Sequence, residues 1–198
     1  GTNGGRVSVK SIKIINDHIY LGGIFTHFQG NGASWTYARN GARLDINGKP
    51  DRSWNPEFNG SVIDIDVDEN EAYYYAAGYF TRAHDRVVEN AGRLSTAAGA
   101  ELDQSWTFRH SYLIGKYQQT VTAANGRVYF GGSQHSLFGY NSDTMTRTSG
   151  SITMYNGGDL QASTRSATGV VYASCHCSDY AFQDAYQYLT LGTTWTRA

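Results

Sequence analysis

The sequence IYLGGIFT at residues 19–26 recurs along the chain, and this recurrence decides the fold. It returns as YYAAGYFT at residues 74–81, as VYFGG at residues 128–132 and in degenerate form as VYASC at residues 171–175. Counted at the second glycine position, the intervals are 55, 54 and 43 residues, between Gly23, Gly78, Gly132 and Cys175. A period of this length is typical of proteins built from repeated supersecondary units.

A second block follows the first in the same phase. ARLDINGKPDRSW at residues 42–54 matches GRLSTAAGAELDQSW at residues 92–106 in an Arg-Leu pair, a glycine-containing turn and an Asp-x-Ser-Trp ending. The third copy is eroded, and SITMYNGG at residues 151–158 is the candidate for its position. Two independent blocks in the same order indicate that one unit has been duplicated.

Each unit is predicted to consist of short strands and tight turns. Apolar and polar residues alternate at residues 7–15 and 62–67, as in half-buried strands. Four short antiparallel strands in about fifty residues is the size of a β-propeller blade. We therefore predict an all-β chain of about three to four four-stranded blades, closed alone or as part of a larger propeller. The predicted repeat units are residues 1–58, 59–109, 110–160 and, in part, 161–198.

Composition limits the classes of partner. Among 198 residues, 16 Lys and Arg stand against 17 Asp and Glu, so the basic excess typical of nucleic-acid binding is missing. No apolar run approaches the length of a membrane span. We expect no nucleic-acid partner, no membrane insertion and no cofactor. Because Gly1 is not an initiator methionine, we also expect a fragment or a processed product.

The blocks IYLGGIFTHFQG and ARLDINGKPDRSWNP resemble the delta-sixty type of β-propeller repeat. Residues 7–109 carry the resemblance well, and residues 110–198 carry it weakly. Such repeats occur in large bacterial surface or secreted proteins and in minor tail proteins of phages that infect actinobacteria. The resemblance implies a propeller fold and an extracellular or virion-surface location. It implies no catalytic residues, because the pattern is structural.

Residues that recur in every unit are predicted to be scaffold, since repetition is what scaffolding requires. Arg43 and Arg93 should make the same hydrogen bonds in their units, and Trp54 and Trp106 should fill gaps between blades. The glycine positions of the first block allow close backbone approach or a β-bulge, and they are Gly22, Gly23, Gly78, Gly131 and Gly132.

The connecting stretches vary, which is where recognition is expected. Residues 28–37 form a long predicted loop that places Trp35 and Tyr37 between the two blocks. Exposed aromatic rings on loops can stack on sugars or anchor a protein partner. Trp35 and Tyr37 are therefore the candidate binding residues, and the partner is expected to be a bacterial surface glycan or another structural subunit.

The sequence Cys175-His176-Cys177 replaces the glycine turn of the other units. On a strand the two cysteines would share one face and His176 would point to the other. Zinc would also need a fourth ligand. Three alternatives stay open from the sequence: buried free thiols, a tight local disulfide and a metal site.

No residue set has a known catalytic spacing. The row Asp64, Asp66 and Asp68 begins like a calcium loop, but the sixth and twelfth positions fail, so we interpret it as a solvated acidic face. We predict a non-catalytic structural or recognition module, most specifically a phage minor tail segment that contacts a host surface or other tail proteins. A secreted adhesion or carbohydrate-binding propeller is the alternative, followed by a glycan hydrolase.

Overall fold

The computed structural model describes residues 7–108, 117–133, 136–148, 152–153, 158–177, 185–188 and 195–197. The chain divides into two compact units, Gly1–Phe108 and Arg109–Ala198. The described parts of both units consist of antiparallel strands and turns, which confirms the predicted all-β class. In the described part of the chain there is no helix with the length and hydropathy needed to span a bilayer.

Unit 1 contains two three-stranded sheets and two small hairpins. The first sheet has the order β1 (Ser8–Ile15), β2 (His18–Ile24) and β5 (Gly41–Asp45). The second sheet has the order β6 (Val62–Val67), β7 (Tyr73–Gly78) and β10 (Ala91–Ser95). Inserted after the central strands are the hairpins β3 (His27–Phe28) with β4 (Thr36–Tyr37), and β8 (Arg82–Ala83) with β9 (Arg86–Val87).

The fourth strand predicted for each unit 1 blade is reduced to a single bridge. Leu44 pairs with Pro50, and Leu94 pairs with Leu102, outside any named strand. The next residue in each segment is the aspartate of the Asp-x-Ser-Trp block, which bends the chain into a turn and so ends the pairing. The prediction of four full strands is therefore too high for the described sheets of this unit.

Unit 2 contains two four-stranded sheets. The third sheet is β11 (Gln118–Ala124), β12 (Arg127–Gly132), β13 (Ser136–Asn141) and β14 (Ile152–Thr153). The fourth sheet is β15 (Gly158–Arg165), β16 (Val171–Cys177), β17 (Ala185–Tyr188) and β18 (Trp195–Arg197). The predicted boundary between residues 160 and 161 falls inside β15.

All four sheets share one irregularity. The register between their first two strands shifts between Val9 and Ser11, and at the corresponding points of the other sheets: Val62/Asp64, Gln118/Thr120 and Leu160/Ala162. The residues opposite the start of the shift are Gly23, Gly78, Gly132 and Cys175, which are the repeat positions identified from the sequence.

Close backbone approach explains the glycines at this bulge. A Cβ atom on Gly23 would lie 2.2 Å from the Ser8 carbonyl oxygen, and one on Gly78 would lie 2.1 Å from that of Ser61. At Gly132 the distance to the Tyr117 carbonyl oxygen would be 2.6 Å. Any side chain there would force the first strand away.

Packing between sheets follows the repeat as well. In unit 1, Tyr20 is buried against the second sheet, and a Cβ on Gly22 would lie 2.6 Å from Ile65 and 2.7 Å from Val62. In unit 2, a Cβ on Gly131 would lie 2.7 Å from Leu160, and Tyr129 is buried in the same cluster as that leucine. The Tyr-x-Gly strand of one sheet thus packs on the apolar face of the next in both units.

Candidate functional site

The β3–β4 hairpin is fixed at its base by Asn40. This residue has a left-handed backbone, with φ of 62°. Its side chain accepts a hydrogen bond from the Phe25 amide at 3.1 Å and donates one to the Phe58 carbonyl at 2.7 Å. Asn90 has the same conformation in the second sheet, with φ of 66°, and donates to the Phe80 carbonyl at 3.0 Å. The sequence analysis missed this pair, although both precede the Arg-Leu block.

The tip of the hairpin is also tied to the body of the first unit. The Asn31 amide donates to the Gly48 carbonyl at 2.9 Å. Arg52 donates from Nη2 to Ser34 Oγ at 2.9 Å. These two contacts hold the loop on either side of Trp35 and Tyr37, so that their rings are presented from an ordered segment.

Trp35 and Tyr37 are both exposed, at 67% and 48% of their surface. The edge of the Tyr37 ring packs against His27, with the ring centroids 5.4 Å apart. A concavity of about 470 Å³ is lined by Ser34, Trp35, Thr36, Tyr37 and Arg52. The structure therefore brings the two predicted binding residues together beside a guanidinium group.

A second concavity of about 450 Å³ begins on Tyr37 and continues away from Trp35. Its lining is mostly polar: Ile24, Thr26, Tyr37, Arg39, Asn40, Asn59, Gly60 and Ser61. Tyr37 is thus shared by two surfaces that could hold a ligand. Such a combination of flat apolar rings and hydrogen-bonding groups can stack on a sugar or peptide and orient it.

The β8–β9 hairpin shows what the first hairpin has gained. It joins its two-residue strands through His84 and Asp85 alone, and Arg82 donates to the Asp85 carbonyl at 2.8 Å. Its exposed residues Arg86 and Val87 line a smaller hollow of about 190 Å³, together with Trp106. No aromatic residue lies in this short hairpin, so the aromatic surface is particular to the first repeat.

The recurring arginines make identical contacts. Arg43 donates from Nε and Nη2 to one oxygen of Asp51, at 2.9 and 2.6 Å. Arg93 does the same to Asp103, at 2.9 and 2.5 Å. Burial alone would raise the pKa of Asp51, but hydrogen bonds from Ser53 and Arg43 outweigh it and the pKa is lowered. These side chains hold the turn of the second block.

The two tryptophans of that block differ. Trp54 is fully buried, donates to the Ser95 carbonyl at 3.0 Å and packs on Tyr20 and Tyr74, whose ring centroids lie 5.4 and 4.9 Å away. It therefore fills the space between the first and second sheets. Trp106 is only partly buried and packs on Phe108 at 6.2 Å. The predicted equal role of the two tryptophans does not extend to their burial.

Glu71 joins the first and second sheets and was not identified from the sequence. Its carboxylate accepts from Asn16 and Tyr20, each at 2.8 Å, and lies 2.6 Å from His18 Nδ1. Burial would raise the pKa of Glu71, but these hydrogen bonds outweigh it and lower the pKa. The available signal was its position, since Glu71 occupies the left-handed turn site filled by Asn16 and Asn125 in other units.

The acidic row on β6 is not the solvated face that we expected. Asp66 is buried and forms an ion pair with Lys13 at 2.6 Å. Asp64 accepts a hydrogen bond from Ser11 Oγ at 2.9 Å. The preceding sheet supplies both partners, which a strand read in isolation cannot reveal.

At the Cys-His-Cys sequence, Cys175 is buried and disulfide-bonded. The free-thiol alternative for Cys175 is therefore wrong. His176 and Cys177 complete β16. Within the described ranges, no three His, Cys, Asp or Glu side chains gather in a way that could hold a metal ion. His110 and His135 lie outside the described residues.

Comparison with known proteins gives the fold. No protein-family model and no curated protein matches the sequence. The crystal structure of the RRP9 WD40 repeats matches with a TM-score of 0.63 at 7% identity, over 98% of this chain and 52% of that chain. The structure of U3-55K matches with a TM-score of 0.61 at 6% identity, over 98% and 53% of the two chains.

The WD40 β-propeller domain of Doa1 also matches, with a TM-score of 0.56 at 8% identity over 84% of this chain and 47% of that chain. The chain thus spans about half the length of these solved chains. At such low identity the likeness shows the fold alone. The protein has a β-propeller repeat fold.

Proposed function

We propose that the chain is a non-catalytic segment of a β-propeller that recognises a partner surface through the β3–β4 hairpin. The carrying observation is the exposure of Trp35 and Tyr37 on a loop held by Asn31 and Arg52. Exposed aromatic rings are costly to leave in water unless a partner covers them, and a held loop loses little entropy when it binds. The blades are the repeat units, and the hairpin is the element that distinguishes the first from the second.

The carboxylates with perturbed acidity support a structural role. Burial would raise the pKa values of Asp51, Glu71 and Asp103, yet hydrogen bonds lower each of them. A glycan hydrolase instead needs an acid whose pKa is raised so that it carries a proton near neutral pH. These carboxylates act as fixed hydrogen-bond acceptors between or within sheets.

The most specific form of the proposal is a minor tail protein segment at a virion surface, contacting the host envelope. The delta-sixty-type blocks and the aromatic hairpin support it. The combination of indole, phenol and guanidinium favours a bacterial surface glycan as the partner, because sugar rings stack on aromatic faces while their hydroxyls accept from arginine.

An array of bacterial capsular and cell-wall glycans tests the substrate class. We expect retention on a subset of these glycans, loss of retention for Trp35→Ala with Tyr37→Ala, and no release of reducing ends. Retention that ignores the double substitution would remove the hairpin from the proposal. Release of reducing ends by the wild type would show a hydrolase.

A further inference from the structure

The first sheet carries an apolar face that is open to solvent. Ile12 and Ile14 on β1 are each 60% exposed, and Val9 is 48% exposed. Strand pairing places Leu21 opposite Ile12 and Ile19 opposite Ile14 on the same face, and both are partly exposed. Side chains of this kind rarely form a contiguous exposed row unless something covers it.

The same face of the second sheet shows what covers it. The register of the bulge makes Val62, Ile65 and Val67 the counterparts of Val9, Ile12 and Ile14. All three are buried, in the cluster that contains Tyr20 and Trp54 of the first sheet. The open face is therefore half of an interface whose complete form exists elsewhere in unit 1.

The opposite half lies open on the fourth sheet. Tyr172 is the counterpart of Tyr20 and Tyr129, because it stands three residues before the bulge residue Cys175 as they stand before Gly23 and Gly132. Tyr20 and Tyr129 are buried against the next sheet, whereas Tyr172 is 40% exposed. Its neighbours on that face, Ala162, Thr164 and Ser174, are exposed too.

We propose that a second copy of this chain covers both faces: the Tyr172 face of one copy packs on the Ile12–Ile14 face of the other, head to tail. Each copy offers one half of the interface at each end, so two copies can satisfy both halves at once. A heterologous contact of this kind closes into a ring when its rotation permits.

Chain length supports a second copy as the occupant. The chain covers 52% and 53% of two solved propeller chains, so a complete ring of that size needs about two such lengths. Two copies, each with four of the larger sheets, supply eight, which is within the usual range for propellers. A Ser174 side chain is small enough to meet Val9 as Gly22 meets Val62.

Sedimentation equilibrium of the 198-residue chain tests this directly. At concentrations of about 100 µM, where an ordinary interface is populated, we expect twice the chain mass of 21.8 kDa. Ile12→Asp with Ile14→Asp should give the monomer, and so should Tyr172→Asp. Val87→Asp, at an exposed apolar position of the β8–β9 hairpin, is the matched control and should leave the mass doubled.

Mixing the two monomeric variants separates head-to-tail from face-to-face pairing. The first keeps its Tyr172 face and the second keeps its Ile12–Ile14 face, so the mixture should form a heterodimer although neither variant associates alone. Failure to complement would overturn the head-to-tail arrangement. A wild-type monomer would overturn the second copy as occupant, and exchange protection at Ile12 and Tyr172 in that monomer would assign the two faces to each other within one chain.

Discussion

The two sheet-to-sheet contacts, one in each unit, solve the same packing problem with different chemistry. In unit 1 the contact is aromatic and ionic, with Trp54 at its centre and Glu71 and Asp66 at its edge. In unit 2 it is built from hydroxyls: Thr120 and Thr122 both lie 2.7 Å from Ser163 Oγ. Arg165 adds a hydrogen bond to the Ala123 carbonyl at 2.7 Å.

Three features are common to both contacts. A tyrosine is buried against the next sheet, a glycine two residues later permits close approach, and a turn asparagine bonds to the next turn. Asn16 donates to Glu71 at 2.8 Å, and Asn125 donates to the Gly169 carbonyl at 2.8 Å. The repeat therefore preserves the points of contact where geometry allows no alternative, while the surrounding side chains have diverged.

The largest expected effect separates the two tryptophans. Trp54→Ala should lower the free energy of unfolding by about 3–5 kcal/mol, because it empties the centre of the unit 1 contact. Trp106→Ala should cost about 1–2 kcal/mol, since part of its ring is already in water. Urea denaturation measures both, and equal losses would contradict the difference in burial.

The glycines test the shared geometry. Gly22→Val and Gly131→Val should each destabilise the fold by about 1–3 kcal/mol, because the added atoms meet Ile65 in one contact and Leu160 in the other. Gly32→Val provides the control for φ: its site is left-handed but has no atom within 4 Å of the added Cβ. If only the unit 1 substitution had an effect, the two contacts would not be equivalent.

Acid should weaken the unit 1 contact through Glu71. The pKa of Glu71 is lowered in the folded protein, so its contribution is present above the ordinary value of 4.5 and is lost as the pH falls through the folded pKa. Stability of the wild type should thus fall below pH 4.5 more steeply than that of Glu71→Gln. Glu101→Gln, at an exposed position, is the control and should follow the wild type.

The smallest effect on stability is expected at the hairpin. Trp35→Ala with Tyr37→Ala should change the free energy of unfolding by less than about 0.5 kcal/mol, because both rings are exposed. A larger loss, measured by the same denaturation, would make these rings part of the scaffold.

Sequence reasoning located the elements that geometry enforces. Gly23, Gly78 and Gly132 could be placed because bare backbone contacts demand glycine at regular intervals. The exposed position of Trp35 followed from an insertion between two blocks. Glu71 and Asp66 could not be found in this way, because their partners lie on another sheet and the pairs differ between units. The unequal burial of Trp54 and Trp106 likewise depends on tertiary surroundings rather than on the motif.

The central claim is that recognition resides in the β3–β4 hairpin and not in the repeated scaffold. Adsorption isotherms on whole bacterial cells test it, with circular dichroism as the check on folding. We expect Trp35→Ala with Tyr37→Ala to lose adsorption while keeping its fold, and Tyr79→Ala with Tyr172→Ala, two other exposed aromatic positions, to adsorb like the wild type. Unchanged adsorption by the folded hairpin variant would contradict the account.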